Sequence, residues 1–390
     1  MKSIDTYFKD FLSDIRLTDA QRKDLITGHK TLTDRLKSDP DLKSIIINTF
    51  LQGSYKRSTA VRPLNDKRAD ADVIVVTNLD KSKLTPEQAI AKFIPFVEKY
   101  YKGKYRVQGR SIGIELSYVD LDIVITSAPS EVDTDVLRSA SVNTSLSLED
   151  FSSSYDWRLI KAWSEPVSGS MMSLSEALRK EPEWKLAPLW IPDRDAKEWV
   201  ETHPLEQIRW TRDKNKNTNT HYINVVKALK WWRILKVTDI KHPKGYPVEH
   251  MIGDNCPDGI TSVAAGVCLS LEAIVKNYAL YRMAGTKPSL RDRGVPEHDV
   301  WKRVSVEEFK KFYDHVKAYA KIAREAMNAK TLKEQVEKWR EIFGDKFPKY
   351  EEEESSKSAN SSAGLNKGMG LTLGFSQREE VTKPTPERFA

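Results

Sequence analysis

Residues 52–76 read QGSYKRSTAVRPLNDKRADADVIVV, which places a Gly-Ser pair a short distance before two aspartates. Gly53 allows the backbone to approach a phosphate closely, because glycine has no Cβ. Ser54 adds a hydroxyl beside the free N–H groups of a predicted helix start, where anions bind readily. The stretch therefore predicts an anion cradle followed by a pair of carboxylates.

The two carboxylates, Asp70 and Asp72, are predicted to lie on one face of a strand. Side chains alternate along a strand, so residues i and i+2 share a face with Cα atoms about 6–7 Å apart. Three apolar residues follow at once, which disfavours a turn carboxylate or a charge at a strand edge. Such a pair suits Mg²⁺, which takes oxygen ligands and completes its octahedron with phosphate oxygens and waters.

A third carboxylate is offered by residues 112–125, IGIELSYVDLDIVI, which we expect to form a second strand. Asp120 and Asp122 interrupt an apolar, β-branched run, and a buried charge is costly unless a cation or solvent meets it. Asp122 precedes Ile-Val-Ile, much as Asp72 precedes Val-Ile-Val. We take Asp122 as the third ligand, with Asp120 as the alternative.

These motifs together resemble those of known nucleotidyltransferases. The Gly-Ser pair, the Asp-x-Asp pair and a lone Asp on a later strand resemble the polymerase-β-like enzymes. The segments QGSY-x-R-x-T, DIVITSA and HYINVVKALKWWR are similar to the CD-NTase family, bacterial relatives of cyclic GMP-AMP synthase and oligoadenylate synthase. The segments THPLEQIRWT, PKGYPVEH and ERFA resemble the D clade of that family.

The resemblance implies an α+β fold, in which a polymerase-β-like core is backed by an oligoadenylate synthase-like helical lobe. A bilobal molecule with a central active-site cleft is expected. The implied activity joins ATP, with GTP as a second candidate substrate, into a cyclic di- or trinucleotide messenger of CBASS anti-phage defence and releases pyrophosphate. The D clade favours a trinucleotide containing purines. Asp70, Asp72 and Asp122 would be the catalytic residues and would hold two Mg²⁺ ions about 3.5–4 Å apart.

The resemblance also implies six nucleotide-binding residues, namely Gln52, Gly53, Ser54, Thr59, Lys227 and Lys230. Lys230 matches the family's helix lysine that contacts the donor triphosphate, whereas Lys227 is the weaker candidate. Exposed lysines on a helix more often form a solvated face than a ligand site. Trp231 could stack on a base, but a Trp pair on a buried helix is more often part of the core.

The pattern along the chain predicts three segments, residues 1–130, 131–350 and 351–390. The first would be the catalytic core with N-terminal helices, one of which is expected to end near Leu51. The second would be the helical lobe, because strand signals fade after about residue 150. The polar, low-complexity third segment cannot bury enough apolar surface to fold. The expected helices include 4–15, 86–99, 220–235, 261–281 and 306–329, with a polar surface excursion at 164–187.

Composition limits the compartment and the partners. The net charge of +7 on 390 residues is compatible with triphosphates and does not demand a nucleic-acid groove, so no nucleic-acid activator is expected. No signal sequence and no stretch of about 18 apolar residues is evident, which predicts a cytoplasmic protein with no membrane partner. Cys256 and Cys268 are expected to be buried thiols rather than zinc ligands.

Two other functions are compatible with this fold. A template-free nucleotidyltransferase acting on RNA ends would need a basic acceptor channel, and no lysine- or arginine-rich stripe is present. A catalytically inactive sensor or scaffold has no reason to keep three buried carboxylates, which are costly without a metal. Pyrophosphate release from NTPs and Mg²⁺ separates an enzyme from a scaffold.

The last residues, Arg388-Phe389-Ala390, follow a tail without a folding pattern. Some family members are encoded beside ubiquitin-transfer-like proteins, and that resemblance predicts conjugation of the Ala390 carboxylate to an amine on a target. The alternative is an inert, solubilising tail.

Overall fold

The computed structural model describes residues 2–64, 67–128 and 188–352. The described chain up to Tyr350 belongs to one compact unit. Its helices are α1 (Ile4–Ile15), α2 (Asp19–Ser38), α3 (Gly53–Lys56), α4 (Pro86–Ala91), α5 (Ile94–Tyr101), α6 (Pro204–Asn217), α7 (Tyr222–Lys236), α8 (Tyr246–Asn255), α9 (Val263–Ala284), α10 (Val306–Asn328) and α11 (Leu332–Phe343). Its strands are β1 (Ile46–Gln52), β2 (Asp70–Thr77), β3 (Tyr105–Val107), β4 (Ile112–Glu115), β5 (Asp120–Ser127), β6 (Leu189–Asp193) and β7 (Glu198–Thr202).

The seven strands of these described residues form one mixed sheet. Its main order is β1-β2-β5-β4-β3, and β6 joins β5 at one end and pairs with β7. The central pair, β2 and β5, is parallel, whereas the other pairs are antiparallel. Both central strands have nearly continuous apolar runs, which is expected of strands that are covered on both faces.

Alternating side chains of the central strands enter two different cores. Val73 and Val75 pack with residues of α2 and α5, including Leu32 and Phe96, on one face. Ile74 lies in a smaller core on the other face. The sheet is thus fixed in register by its burial pattern, because a slip of one residue would exchange the two faces.

A separate core joins the helices that follow the sheet. The apolar stripe of α7, formed by Tyr222, Val225, Val226, Leu229 and Trp232, is buried in it. Helix α1 also belongs to this core, since Phe11 stacks on Phe343 with ring centroids 4.5 Å apart. The predicted α+β class is confirmed by this combination of a mixed sheet and a helical lobe. The predicted segment boundaries stay predictions, and α1 makes its core contacts across the one at residue 130.

The prediction of a helix ending near Leu51 is wrong, because residues 46–52 form strand β1. Helix α2 ends at Ser38, shortly before Pro40. Three consecutive isoleucines, Ile45, Ile46 and Ile47, then favour a strand, since β-branched side chains are stiff at χ1 and suit a pleated surface. Strand β1 therefore leads directly into the Gly-Ser turn.

The expected loss of strands after residue 150 is also wrong, because β6 and β7 extend the sheet. Pro192 makes the first of these resemble a connection, yet among the described residues β6 pairs with β5 only at Trp190, so Pro192 lies beyond that pairing, on a side of the strand that is open like an edge. The single helix expected at 86–99 is divided into α4 and α5 around Phe93. The surface excursion expected at 164–187 and the low-complexity tail lie outside the described residues.

Helix α9 is long and apolar enough to cross a membrane by length and composition. Half of its most apolar window is buried within the protein, where Val267, Leu271 and Ile274 belong to the helical core. A core helix of a soluble protein passes the same test, so the helix is weak evidence for a membrane span.

Candidate active site

The predicted phosphate turn lies directly beside the first strand that carries aspartates. Strand β1 ends at Gln52, which pairs with Asp72 across the sheet. Gly53 has a φ of +77°, and a Cβ placed on it would lie 1.8 Å from Asp72 Oδ2. Only glycine fits this position, because any side chain would collide with the carboxylate. Ser54 follows in the single turn of helix α3.

The parallel pairing of β2 and β5 brings the predicted aspartates together. Asp72 lies opposite Asp122, and Asp70 lies opposite Asp120. Since neighbouring strands lie about 4.8 Å apart, the four carboxylates converge at one end of the central strands. This juxtaposition is a consequence of the register that the apolar residues after each aspartate impose.

Burial and mutual repulsion disturb the ionisation of this group. Burial, Asp70 and Asp122 together raise the pKa of Asp72 to about 7. Burial and Asp70 also raise the pKa of Asp122. Carboxylates that are difficult to ionise side by side are stabilised by a nearby divalent cation.

The alternative ligands on β5 have different partners. Asp120 accepts from Arg68 Nε, with a distance of 2.7 Å between Nε and Oδ1. Asp122 accepts from neutral groups instead: its Oδ1 accepts from the Gln108 amide at 3.0 Å and from the Ser111 hydroxyl at 3.4 Å. Asp120 is thus neutralised by the protein, whereas Asp122 keeps one oxygen outside these hydrogen bonds.

The donor set fits Mg²⁺, although the described residues contain no preformed cage of three acidic, His or Cys side chains. Mg²⁺ is usually held by one or two carboxylates together with waters and substrate phosphates. Asp70, Asp72 and Asp122 supply hard oxygen donors beside the phosphate turn. Burial raises the pKa of all three carboxyl groups, so a cation that neutralises their charge is favoured. A nucleotide would complete such a site.

A buried acid that sequence analysis does not single out binds the residues that follow the phosphate turn. Glu249 on helix α8 accepts from Arg57 Nε at 2.7 Å and from the Thr59 hydroxyl at 2.8 Å. Its side chain is only 2% exposed. Burial alone would raise its pKa, but the Arg57 and Lys230 charges hold the pKa of Glu249 below its ordinary value. The helical lobe thereby holds the segment that follows the phosphate turn.

The two predicted lysines of helix α7 lie in different surroundings. Lys230 is buried, donates to the Thr59 carbonyl at 2.9 Å and lies 4.0 Å from Glu249. Lys227 is half-buried, and burial together with the Arg16, Lys230 and Arg22 charges lowers its pKa well below the ordinary value. Trp231 is a core residue, as predicted, and donates its indole N–H to the Phe343 carbonyl.

Thr59, which is predicted to bind nucleotide, lies beyond the four-residue helix α3. Asp292 and Asp299 accept backbone N–H groups of their own loop. Cys256 and Cys268 are buried free thiols, which confirms their predicted state.

Similarity to known proteins extends along most of the chain. Residues 1–127 match the Second Messenger Oligonucleotide or Dinucleotide Synthetase domain. The cyclic AMP-AMP-GMP synthase of Enterobacter hormaechei is 47% identical over 350 residues, which cover 87% of this chain and 91% of that protein. The chain belongs to the CD-NTase family. This CD-NTase is therefore a nucleotidyltransferase that synthesises cyclic oligonucleotides, and its family functions in antiviral defence.

Two more distant proteins are similar to this CD-NTase, one in sequence and one in fold. The cyclic AMP-AMP-AMP synthase of an Acinetobacter strain is 28% identical over 94% of this chain and 92% of that protein. The solved structure of the CD-NTase CdnG from Bradyrhizobium diazoefficiens in complex with GTP has a TM-score of 0.62. It is 12% identical and covers 88% of this chain and 95% of that one, a likeness that shows the fold. Enzymes of the family generally use divalent metal ions. Membership of the family's D clade stays a prediction for this chain.

Proposed function

We propose that this CD-NTase joins two ATP molecules and one GTP into cyclic AMP-AMP-GMP. The supporting observation is the 47% identity, over nearly all of both chains, to a protein named for that product. The more distant cyclic AMP-AMP-AMP synthase makes a ring of three adenylates the main competing product. Both names favour a trinucleotide over a dinucleotide.

Asp70, Asp72 and Asp122 are proposed as the residues that hold two Mg²⁺ ions. When bound, the ions would lower the pKa of the attacking hydroxyl and neutralise charge on the leaving pyrophosphate. The phosphate turn and the carboxylates come from adjoining strands, so the groups that bind substrate are held in fixed positions before it arrives. Asp120 is not among the proposed metal ligands, because it already forms an ion pair with Arg68.

In each of three steps, the hydroxyl oxygen of one nucleotide attacks the α-phosphorus of a triphosphate. A new P–O bond forms, the bond from the α-phosphorus to the bridging oxygen breaks, pyrophosphate leaves with that oxygen, and the hydroxyl proton passes to solvent. The third step is intramolecular and closes the ring. Gln52, Gly53, Ser54 and Thr59 are proposed to position the donor phosphates, with Ser54 donating its hydroxyl hydrogen to a phosphate oxygen.

The helix α7 lysines are proposed to assist in different ways. Lys230 is a donor to the Thr59 carbonyl, so it would fix the phosphate turn and contribute positive potential to the triphosphate. Burial and positively charged neighbours lower the pKa of Lys227, and an anion such as a phosphate would relieve the repulsion between these charges.

The test is incubation of purified protein with ATP and GTP, together and singly, in the presence of Mg²⁺, followed by mass analysis. We expect pyrophosphate and cyclic AMP-AMP-GMP only when both nucleotides are present. Asp72→Asn and Asp122→Asn should abolish the product, whereas Asp120→Asn should retain it. A ring from ATP alone would contradict the proposed substrates, and nucleotide addition to an RNA end without any ring would contradict the proposed reaction.

We also propose that a ubiquitin-transfer-like enzyme conjugates the Ala390 carboxylate in cells, and that the protein acts in the cytoplasm. The support is the sequence resemblance, because the tail lies outside the described residues. Deleting residues 388–390 should leave synthesis in vitro unchanged and remove both higher-mass conjugates and phage protection. Full protection by the truncated protein, with no conjugate of the wild type, would contradict this proposal.

A further inference from the structure

The turn between β3 and β4 lies against the third aspartate of the site. Gln108 donates its side-chain amide to Asp122 Oδ1 with a distance of 3.0 Å between the heavy atoms. The Ser111 hydroxyl lies 3.4 Å from the same oxygen, a longer and weaker contact. Both contacts therefore engage Oδ1 of Asp122, and its other carboxylate oxygen remains for a different ligand.

Gly113 provides the room that this contact needs. It lies directly opposite Asp122 in the antiparallel pairing of β4 with β5. A Cβ on Gly113 would be 2.5 Å from Gln108 Nε2 and 3.2 Å from Asp122 Oδ1. Any larger residue would have to displace the amide or the carboxylate. Glycine at this position therefore leaves room for the hydrogen bond between Gln108 and Asp122.

The turn is itself held by residues from much later in the chain. The Gln108 N–H donates to the Ser111 carbonyl, and the Gly109 carbonyl accepts from the Arg194 N–H at 2.9 Å. Arg110 donates to the Asp193 carboxylate at 2.6 Å. Residues at the turn between β6 and β7 thus hold the chain that follows Gln108 in place.

We infer that Gln108 is a positioning residue that orients Asp122 toward the metal, with Gly113 keeping the space for its amide. A side-chain amide can donate to an ionised carboxylate without adding charge to the site. Partners of this kind set the orientation of a metal ligand, and their loss typically costs about 10–100-fold in metal affinity or activity. The inference rests on the proposed role of Asp122 as a ligand.

The test measures Mn²⁺ binding to the nucleotide-free full-length protein by electron paramagnetic resonance of the free ion. Gln108→Ala should weaken binding about 10–100-fold. It should also raise the Mg²⁺ concentration for half-maximal rate while leaving kcat at saturating Mg²⁺ within about threefold. Val107→Ala is the matched control, because Val107 is the exposed neighbour on β3 and alternation places its side chain on the opposite face.

Gly113→Ala provides a second, independent variant. Introduced alone, Gly113→Ala should weaken Mn²⁺ binding, because the new methyl group displaces the Gln108 amide. The same substitution should weaken binding less in the Gln108→Ala background, where that amide is already absent. Equal effects in both backgrounds would overturn the proposed link between these two residues. Circular dichroism and a thermal melt verify that each variant is folded.

The outcomes separate this inference from the proposed function. If Asp122→Asn loses Mn²⁺ and Gln108→Ala binds it as the wild type does, Gln108 has no positioning role. If Asp122→Asn binds Mn²⁺ as the wild type does, Asp122 is not a ligand and the proposed metal site is wrong. Weak binding by both variants, with normal binding by Val107→Ala, supports the inference.

Discussion

Asp72 is the residue at which the phosphate turn and the proposed metal site meet. Its carboxylate lies against Gly53, opposite Asp122 and within reach of the Arg57 charge. An acid whose pKa is raised by folding destabilises the folded state as pH rises from its unfolded pKa towards its folded one. For Asp72 those values are 3.8 and about 7. Without metal, ionisation of the Asp72 carboxyl therefore lowers the stability of the folded state at neutral pH.

We predict that metal-free Asp72→Asn is more stable than the metal-free wild type at pH 8. The difference in the free energy of unfolding should be on the order of a few kcal/mol and should shrink towards pH 5, where the wild-type carboxyl is protonated. Urea denaturation in EDTA across this range measures it. Mg²⁺ should stabilise the wild type more than the variant at pH 8. A difference that is independent of pH would contradict the role assigned to this carboxylate.

Ser54→Ala should raise the KM for ATP about tenfold, since a hydrogen bond to a charged group contributes about 1.5–3 kcal/mol. The kcat should change much less, because the hydroxyl is assigned to contacts made before the chemical step. Steady-state pyrophosphate release measures both constants. Ser44→Ala, an exposed serine outside the site, is the control. An unchanged KM with a collapsed kcat would contradict this assignment.

Sequence reasoning identified residues whose chemistry conflicts with their surroundings. Asp72 and Asp122 interrupt apolar strands, and such a charge calls for an explanation. Glu249 gave no such signal, because a glutamate within a helix is usually solvated and its partners Arg57 and Thr59 are distant in sequence. Gln108 is neutral and lies beside a three-residue strand, so only the folded register reveals its contact.

At the scale of elements, helix α8 connects the helical lobe to the phosphate turn through Glu249. Removing one member of a buried ion pair leaves the other charge unmatched, which costs about 3–5 kcal/mol. Glu249→Gln should therefore lower the free energy of unfolding by that amount in urea denaturation. The control is Asp314→Asn, since the exposed Arg282–Asp314 pair should contribute about 0–1 kcal/mol. Equal effects of the two substitutions would show that the buried Glu249 pair contributes no more to stability than an exposed ion pair does.

The elements that sequence reasoning missed have clear physical causes. Strand β1 follows a proline and a short turn, and its isoleucine run was attributed to the preceding helix. Strand β6 contains Pro192 and pairs with β5 through Ser127 and Trp190, so proline and brevity made it resemble a connection. Long helices such as α7 were predicted well, because their apolar stripe repeats over several turns.

At the scale of the whole molecule, helix α1 at the start of the compact unit packs against α11 near its end. Phe8 contacts Trp339 with ring centroids 4.9 Å apart, and Phe11 stacks on Phe343. Helix α1 precedes the sheet in sequence, yet it packs against α11 in the helical lobe. We therefore expect the sheet and the helical core to lose structure together.

Phe11→Ala should destabilise the protein by about 3–5 kcal/mol, because Phe11 is fully buried. Loss of nucleotide joining and loss of helical circular dichroism should shift to lower temperature by the same amount. The control is Leu280→Ala, whose 77% exposure predicts a change within about 0.5 kcal/mol. Activity that survives after the helices have melted would show that the two parts unfold separately.

The central claim is that the paired strands β2 and β5 hold the metal ions that support nucleotide joining. Anomalous X-ray scattering from crystals soaked with Mn²⁺ and a non-hydrolysable ATP analogue tests it most directly. The account predicts two Mn²⁺ peaks contacting Asp70, Asp72 and Asp122, with the analogue's phosphates beside Ser54. Peaks at Asp120 in place of Asp122, or nucleotide phosphates bound away from the Gly53–Ser54 turn without metal at these carboxylates, would contradict it.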